Sequence, residues 1–349
     1  MIVLNVTYNK GKGGLECIYL RYIEMLSKAG HEVCALLPPK SAIKKDVTNL
    51  IPSAETSKLI SSPINRLNPL AVWKLKKAIQ HICPDIILIH NSRPVAFFNR
   101  ITRNIYPVVT IHHGGKTTRL LKHSKHIICV TKYMVEELKE HGFPSENLYY
   151  IPNAIDLDKE YVQRNLPPKE KPLTIGVIGR FTEEKGLDTF IDALKHINIP
   201  HKAIIAGCGA LREQIRNRAI KQNTTVKFLG WIDEQPKNKF FEQCDVLIVP
   251  SRHESFGLTI LEAWKHGLPI LSSNTKGGTE LIEHGKNGLL FERDNPQALA
   301  QSVHDLVALK NKSTALTKNG YELLKSTYST EIVANNLEKT IQKIISQHR

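Results

Sequence analysis

Two glutamates, Glu254 and Glu262, stand eight residues apart around the turn that links an apolar run, residues 246–249, to a stretch of helical periodicity. The run reads as a buried strand, so residues 251–255 fall at its carboxyl end, the edge where open α/β sheets hold ligands. Phe256, Ile260, Leu261 and Trp264 recur at helical spacing, and Ser255, Phe256, Gly257, Leu258 and Thr259 form the turn into that helix. A serine and a glycine there let a bound group approach the backbone closely. The first N–H groups of the helix, with the positive end of its dipole, suit a diphosphate. A carboxylate is ill placed beside a phosphate but accepts hydrogen bonds from sugar hydroxyls. Two such grips flanking a diphosphate describe a sugar nucleotide, whereas the same spacing on an ordinary amphipathic helix is two solvated charges.

A second loop has matching chemistry. Residues 173–178 read as another strand, followed by Gly179 and Arg180 and then by Lys185 and Gly186. Two cations at a strand's carboxyl end neutralise a leaving diphosphate. Gly13 and Gly14 follow the first strand, residues 2–6, in a glycine loop that lacks the G-x-G-x-x-G spacing of a dinucleotide site. His112 ends the strand at 108–111, where a histidine is positioned to meet a ligand, and His113 beside it is an equal candidate. Trp231 and Ile232 follow the strand at 226–229 and either flank a nucleotide base or pack in the core. Asp156 and Asp158 have a metal-binding spacing without a third ligand cluster, so no metal site is assigned. Gly207-Cys208-Gly209 starts like a dinucleotide fingerprint but lacks the third glycine, which sets NAD aside.

The string PSRHESFGLTILEAWKHG at 250–267, continued by GLPIL at 267–271 and GGTELIEHGKNGLLF at 277–291, resembles the E-x7-E signature of retaining family-4 glycosyltransferases, enzymes of the GT-B fold. GRFTEEKG at 179–186 is similar to the family's G-R-x4-K-G loop, and GGLE at 13–16 to its amino-terminal pattern. The resemblance implies that Arg180 and Lys185 bind the diphosphate, Glu262 the ribose, Glu254 the transferred sugar, and His112 the sugar near its reacting face. It implies a nucleoside diphosphate sugar donor, UDP-linked, and a glycolipid or polysaccharide acceptor of lipopolysaccharide type, with no metal or other cofactor. Ser255 where glycine is common and Thr279 where proline is common leave the donor sugar open. YYIPNAIDL at 149–157 resembles the family's interdomain linker, and a last helix crossing back to the first domain is expected by analogy. Two other classes fit parts of the pattern. A GT-B sugar-nucleotide epimerase would use the same donor pocket, and a nucleic-acid-binding protein would explain the basic half, although no nucleic-acid reading motif is present.

The elements that must position these residues alternate strand and helix through most of the chain, with a wholly helical stretch from Pro296 onward, which predicts two doubly wound parallel-sheet domains facing a cleft. The break NLPPKEKP at 165–172 divides them into residues 1–165 and 166–328, with a final helical segment at 329–349. Residues 70–82 form an amphipathic helix, and residues 93–105 put Phe97, Phe98, Ile101 and Ile105 on one helical face, which either packs on the sheet or dips into a membrane surface. Residues 38–69 give no assignable pattern. The six cysteines, scattered without a C-x-x-C pair, read as reduced core residues. With no signal segment and no long apolar run, a cytoplasmic protein is expected, peripheral at the inner face of the plasma membrane. The net charge of +15 lies almost entirely in residues 1–135, which carry 20 Lys/Arg against 6 Asp/Glu. Such a field attracts an anionic membrane surface or a phosphorylated acceptor, or is a solvated surface. Its clusters are Lys116, Arg119, Lys122 and Lys125, spaced about three residues apart and on one face if that segment is helical, and Lys40, Lys44, Lys45 and Lys58.

Overall fold

Short runs of Val, Ile and Leu become strands buried on both faces, as parallel sheets require. The computed structural model describes residues 1–51, 59–61, 68–115, 118–158, 160–168, 170–309 and 312–348. The strands are β1 (Ile2–Val6), β2 (Glu32–Leu37), β3 (Leu59–Ser61), β4 (Ile86–Ile89), β5 (Val108–His112), β6 (His126–Cys129) and β7 (Leu148–Tyr150), then β8 (Leu173–Ile178), β9 (His201–Ala206), β10 (Val226–Gly230), β11 (Val246–Val249), β12 (Ile270–Ser273) and β13 (Leu289–Phe291). They form one sheet of order β3-β2-β1-β4-β5-β6-β7 and another of order β10-β9-β8-β11-β12-β13. Every pairing is parallel. In each sheet the winding reverses beside the first strand, between β1 and β4 and between β8 and β11. Those switch points are where an open α/β sheet leaves a crevice at its carboxyl edge.

The chain divides into two units, residues 1–154 with 329–349, and residues 155–328. The core of the first joins Leu4, Val6, Leu36, Ile87 and Ile89 to Leu75, Ile79 and Phe98 from covering helices. Phe97, Phe98 and Ile101 are buried as the periodicity predicts, but Ile105 is 62% exposed. The helix stops at Thr102 because Arg103 and Asn104 take φ values of +52° and +57°, and this carries Ile105 off the helical face. The core of the second unit packs Ile175, Val177, Ile205, Val246 and Ile248 against Phe190, Ile191 and Val303.

The boundary differs from the one placed at 165. Residues 155–165 belong with the second unit, because the Arg164 guanidinium donates to the carbonyls of Phe241, Glu242 and Cys244 at 2.9, 2.8 and 2.8 Å. The Tyr161 hydroxyl lies 2.7 Å from that of Thr317, and Asp158 pairs with Lys265 at 2.5 Å. The composition break therefore marks the end of a strap laid on the second unit. The last helix, Thr330–His348, is part of the first unit and buries Val333, Leu337, Ile341 and Ile344. Glu338 is hydrogen-bonded to His31 Nε2, and the Tyr149 hydroxyl donates to Gln347 Oε1 at 3.1 Å.

The cysteines, the basic cluster and residues 38–69 also resolve differently from the sequence pattern. No disulfide joins the cysteines, but only Cys34, Cys129 and Cys244 are buried. Cys17 is on the solvent side of its helix, Cys83 closes a helix at φ +48°, and Cys208 sits in a glycine loop. The basic cluster after His112 is not one helix, since only the turn Thr118–Leu121 is helical; Lys116 lies outside the described residues, as do Lys58 and Arg66. Within residues 38–69 the described part forms the helix Lys44–Leu50 and strand β3. Among the described residues no helix is long and apolar enough to cross a membrane.

Candidate active site

In the second unit β8 and β11 are neighbours, with Ile175 opposite Val246, so the loops after them lie side by side. The first loop ends in the one-turn helix Glu183–Lys185 and in Gly186 at φ +58°. A Cβ on Gly186 would strike the Pro250 carbonyl, so the two loops approach as closely as a glycine permits. The Lys185 side chain runs over Gly179, 3.7 Å from where a Cβ would stand there. Its Nζ donates to Glu254 Oε2 at 2.7 Å, and Ser251 Oγ donates to the same oxygen at 3.3 Å. The lysine is 23% and the glutamate 15% exposed, so the pair is sheltered yet reachable. Arg180 behaves differently: its side chain is 63% exposed and lies 4.0 Å from the Glu184 carboxylate.

Gly257, at φ +101°, starts the helix Leu258–Lys265, and a Cβ there would come within 2.9 Å of Ile260 Cδ1. Ser255, Leu258 and Thr259 are partly exposed around that start. Phe256, read as part of the helical face, precedes the helix and is buried edge-on against Tyr328. Gly277 supports the loop, because its N–H donates to the Glu254 carbonyl at 3.0 Å and a Cβ would lie 2.6 Å from that oxygen. Glu262, on the helix, is ion-paired with Lys237 from the helix Glu234–Gln243, each side chain 19% exposed. Trp231 is 48% exposed, so it is no core residue, and its Nε1 donates to Asp233 at 3.3 Å. Ile232 beside it is partly buried.

Two residues here were not legible beforehand, Lys237 and Arg252. Arg252 donates to both Asp188 oxygens at 2.8 Å and to the Glu183 carbonyl at 2.9 Å, and its Nε lies 2.5 Å from Asp294. Its backbone N–H donates to the Glu184 carbonyl at 2.7 Å. The side chain thus pins the loop carrying Glu254 to the loop carrying Lys185. Burial raises the Asp188 pKa, but the hydrogen bonds and charge of Arg252 outweigh it and hold the carboxyl below its ordinary range. Spacing along the chain carries no sign of these pairings, which join residues more than 20 positions apart.

In the first unit Gly13 is extended at φ −168° and caps the helix Gly14–Lys28 after β1; Gly13 is partly exposed and Gly14 exposed. β4 pairs with both β1 and β5, so the residues following these strands share one edge. There Asn5 Nδ2 donates to the Tyr19 carbonyl at 3.4 Å, which turns Asn5 Oδ1 to His90 Nε2 at 2.9 Å. His90 must donate from Nε2, so its Nδ1 accepts from His113 Nε2–H at 3.2 Å. The His113 ring is committed to this chain and stacks on His90. His112, the partly buried end of β5, is the member of the pair outside it. Burial lowers the His112 pKa to about 4, with Glu137 opposing, and lowers His113 to about 3, helped by His112. Both rings are neutral at pH 7.

Asp158 is engaged with Lys265, and among the described residues no cluster of three metal-ligating side chains exists.

Two doubly wound parallel sheets, the second with a sheltered cation–carboxylate pair and a glycine-started helix at its switch point, define the GT-B class of transferase. The family described as "Glycosyl transferases group 1" matches residues 158–323, and "Glycosyltransferase Family 4" matches residues 12–159. The chain is a glycosyltransferase and belongs to this family-4 type. It is 25% identical over 333 residues to LpsE, a lipopolysaccharide core biosynthesis glycosyltransferase of Rhizobium meliloti, covering 93% of this chain and 94% of that one. It is 30% identical over 213 residues to WclY, an O-antigen biosynthesis glycosyltransferase of Escherichia coli, covering 57% and 58%. In fold it is similar to HepE of Anabaena, solved with UDP and glucose, with a TM-score of 0.81 at 20% identity over 98% of this chain and all of that one. It is also similar to the lipopolysaccharide outer core galactosyltransferase WaaB in its apo form, with a TM-score of 0.74 at 17% identity over 98% and 99%.

Proposed function

We propose that this glycosyltransferase moves a sugar from a uridine diphosphate sugar to a lipid-linked or polysaccharide acceptor of the cell envelope, with retention at the anomeric carbon. The names of LpsE and WclY support the acceptor class, and the UDP bound by HepE supports the donor. The observation that carries the donor site is the Lys185–Glu254 pair at the β8/β11 switch point. A diphosphate entering there meets the Lys185 ammonium, the Arg180 guanidinium and the amides at the start of the helix Leu258–Lys265. All three stabilise charge that grows on the leaving group, so their effect is largest in the transition state. Glu254 is freed to accept from hydroxyls of the transferred sugar as Lys185 turns to phosphate. Glu262, ion-paired with Lys237, accepts from the ribose hydroxyls, and Trp231 with Ile232 flanks the base. His112, neutral at pH 7, with Gly13 and Gly14, is the first unit's candidate for contacts to sugar. Because cationic side chains already neutralise the diphosphate, no divalent metal is needed. The basic first unit serves an acceptor at an anionic membrane surface.

The test is transfer from UDP-glucose and related donors. Lys185→Ala and Arg180→Ala should each lower turnover by about 100-fold or more, whereas Glu262→Ala should chiefly weaken UDP binding. Activity should persist in EDTA. Near-native turnover in Lys185→Ala would refute the assignment, and activity lost to EDTA and restored by magnesium would overturn the metal-free reading.

A further inference from the structure

The helix Pro69–Ile82 is built unlike its neighbours. Asn68 caps it, its side chain accepting from the N–H groups of Leu70 and Ala71 at 3.0 and 3.2 Å, and Leu75, Ile79 and Ile82 bury one face. The opposite face carries Leu70, Trp73, Lys74 and Lys77 at spacings of three, four and seven residues. Leu70 is 59% and Trp73 55% exposed, and among the described residues few other large apolar side chains are left in solvent. The helix contains no acidic residue. Between Glu55 and Glu136 the sequence holds about a dozen lysines and arginines, including Arg100 and Arg103, and one carboxylate, Asp85. Asp85 is turned inward, its Oδ2 accepting from the Ile2 N–H at 2.8 Å. An exposed Trp and Leu beside lysines, in a region almost without negative charge, match the chemistry of a bilayer with anionic headgroups. The indole and leucine enter the acyl boundary while the ammonium groups meet phosphates.

We infer that the solvent face of this helix, Leu70, Trp73, Lys74 and Lys77, docks the enzyme on an anionic lipid bilayer. The inference deepens the reading of an envelope acceptor and rests on it: the helix lies in the interface plane and brings a soluble active site to a membrane-held substrate. The docking is electrostatic in its approach and apolar in its seating, so both halves of the face are required. Each lysine near the surface strengthens binding about fivefold, the equivalent of about 1 kcal/mol, and salt weakens this part.

Tryptophan fluorescence reads the face directly. The chain has three tryptophans, of which Trp264 is fully buried, so a Trp231→Phe background leaves Trp73 as the exposed reporter. With vesicles of phosphatidylglycerol and phosphatidylcholine carrying brominated acyl chains, Trp73 emission should shift to the blue and be quenched, and less so as salt rises. Neutral vesicles should bind poorly. In the otherwise native chain, Leu70→Ser/Trp73→Ser and Lys74→Glu/Lys77→Glu should each lower co-sedimentation with anionic vesicles by tenfold or more. Binding to anionic vesicles with Trp73 unquenched would overturn the inference, since another face would then be docking, as would absence of binding at low salt. The UDP thermal shift, read in the same double variants, should be unchanged. A chain that never responds to UDP would sink the donor reading instead and leave the docking result standing.

Discussion

At the scale of single residues the site depends on charges held in place by other charges. Lys185 and Glu254 meet where β8 and β11 pair, and Arg252 ties their two loops together through Asp188, Asp294 and backbone carbonyls. Arg252 is therefore a positioning residue. Arg252→Ala should lower kcat by about 100-fold, the scale of an ångström of misplacement, with UDP affinity changed only a few-fold. Arg252→Lys, which loses the bidentate geometry, should rescue it only in part. Equal losses in kcat and UDP affinity would make the residue merely structural. The buried histidines set a second dependence. His90, His112, His113 and His126 all have pKa values depressed by burial, the last three to about 4, 3 and 4 from an ordinary 6.5. The unfolded chain then binds more protons than the folded one, so stability is whole above about pH 6.5 and is lost as pH falls from there towards 4. The melting temperature should drop between pH 7 and pH 5. Asp188 and Asp192 cannot cause that drop, since their ordinary value is 3.8 and folding lowers it. A flat profile across this window would contradict the neutral histidine chain.

Elements position these residues through close approach of backbone. Gly186 and Gly30 both have positive φ, +58° and +82°, but only at Gly186 would a Cβ meet an obstacle, the Pro250 carbonyl. Alanine at either position should cost about 1–2 kcal/mol for the left-handed conformation. Gly186→Ala should in addition push apart the loops bearing Lys185 and Glu254, abolishing most transfer while Gly30→Ala stays active. Comparable activity in the two variants, read beside their melting temperatures, would detach loop spacing from catalysis. The glycine string at 277–278 belongs to the same logic, since Gly277 packs under the Glu254 carbonyl.

For the whole molecule the division into units is not linear along the chain. The final helix completes the first unit by burying Val333, Leu337, Ile341 and Ile344, each worth about 1.5–3 kcal/mol. A chain ending at Tyr328 should therefore lose the stability of the first unit and expose its apolar surface, giving aggregation or a low-temperature transition. The second unit of that shortened chain should still shift its melting temperature with UDP. Unchanged solubility and a single native-like melting transition would refute this account of the helix.

Strand positions, the βα alternation, the glutamate pair and the cationic loop were legible in sequence because each depends on local periodicity or short spacing. Residues 173–178 and the turn at 254–262 lie where those patterns place them, with the helix start moved past Phe256. Tertiary structure alone decided what each charge faces. Lys237 against Glu262, Arg252 against Asp188 and His90 between Asn5 and His113 are pairings across different elements. It also decided that residues 155–165 belong to the second unit, through Arg164 reaching carbonyls about 80 positions away. Periodicity reports which face of an element is buried; it carries no record of the partner, because contact between distant segments is set by how sheets and helices close in space.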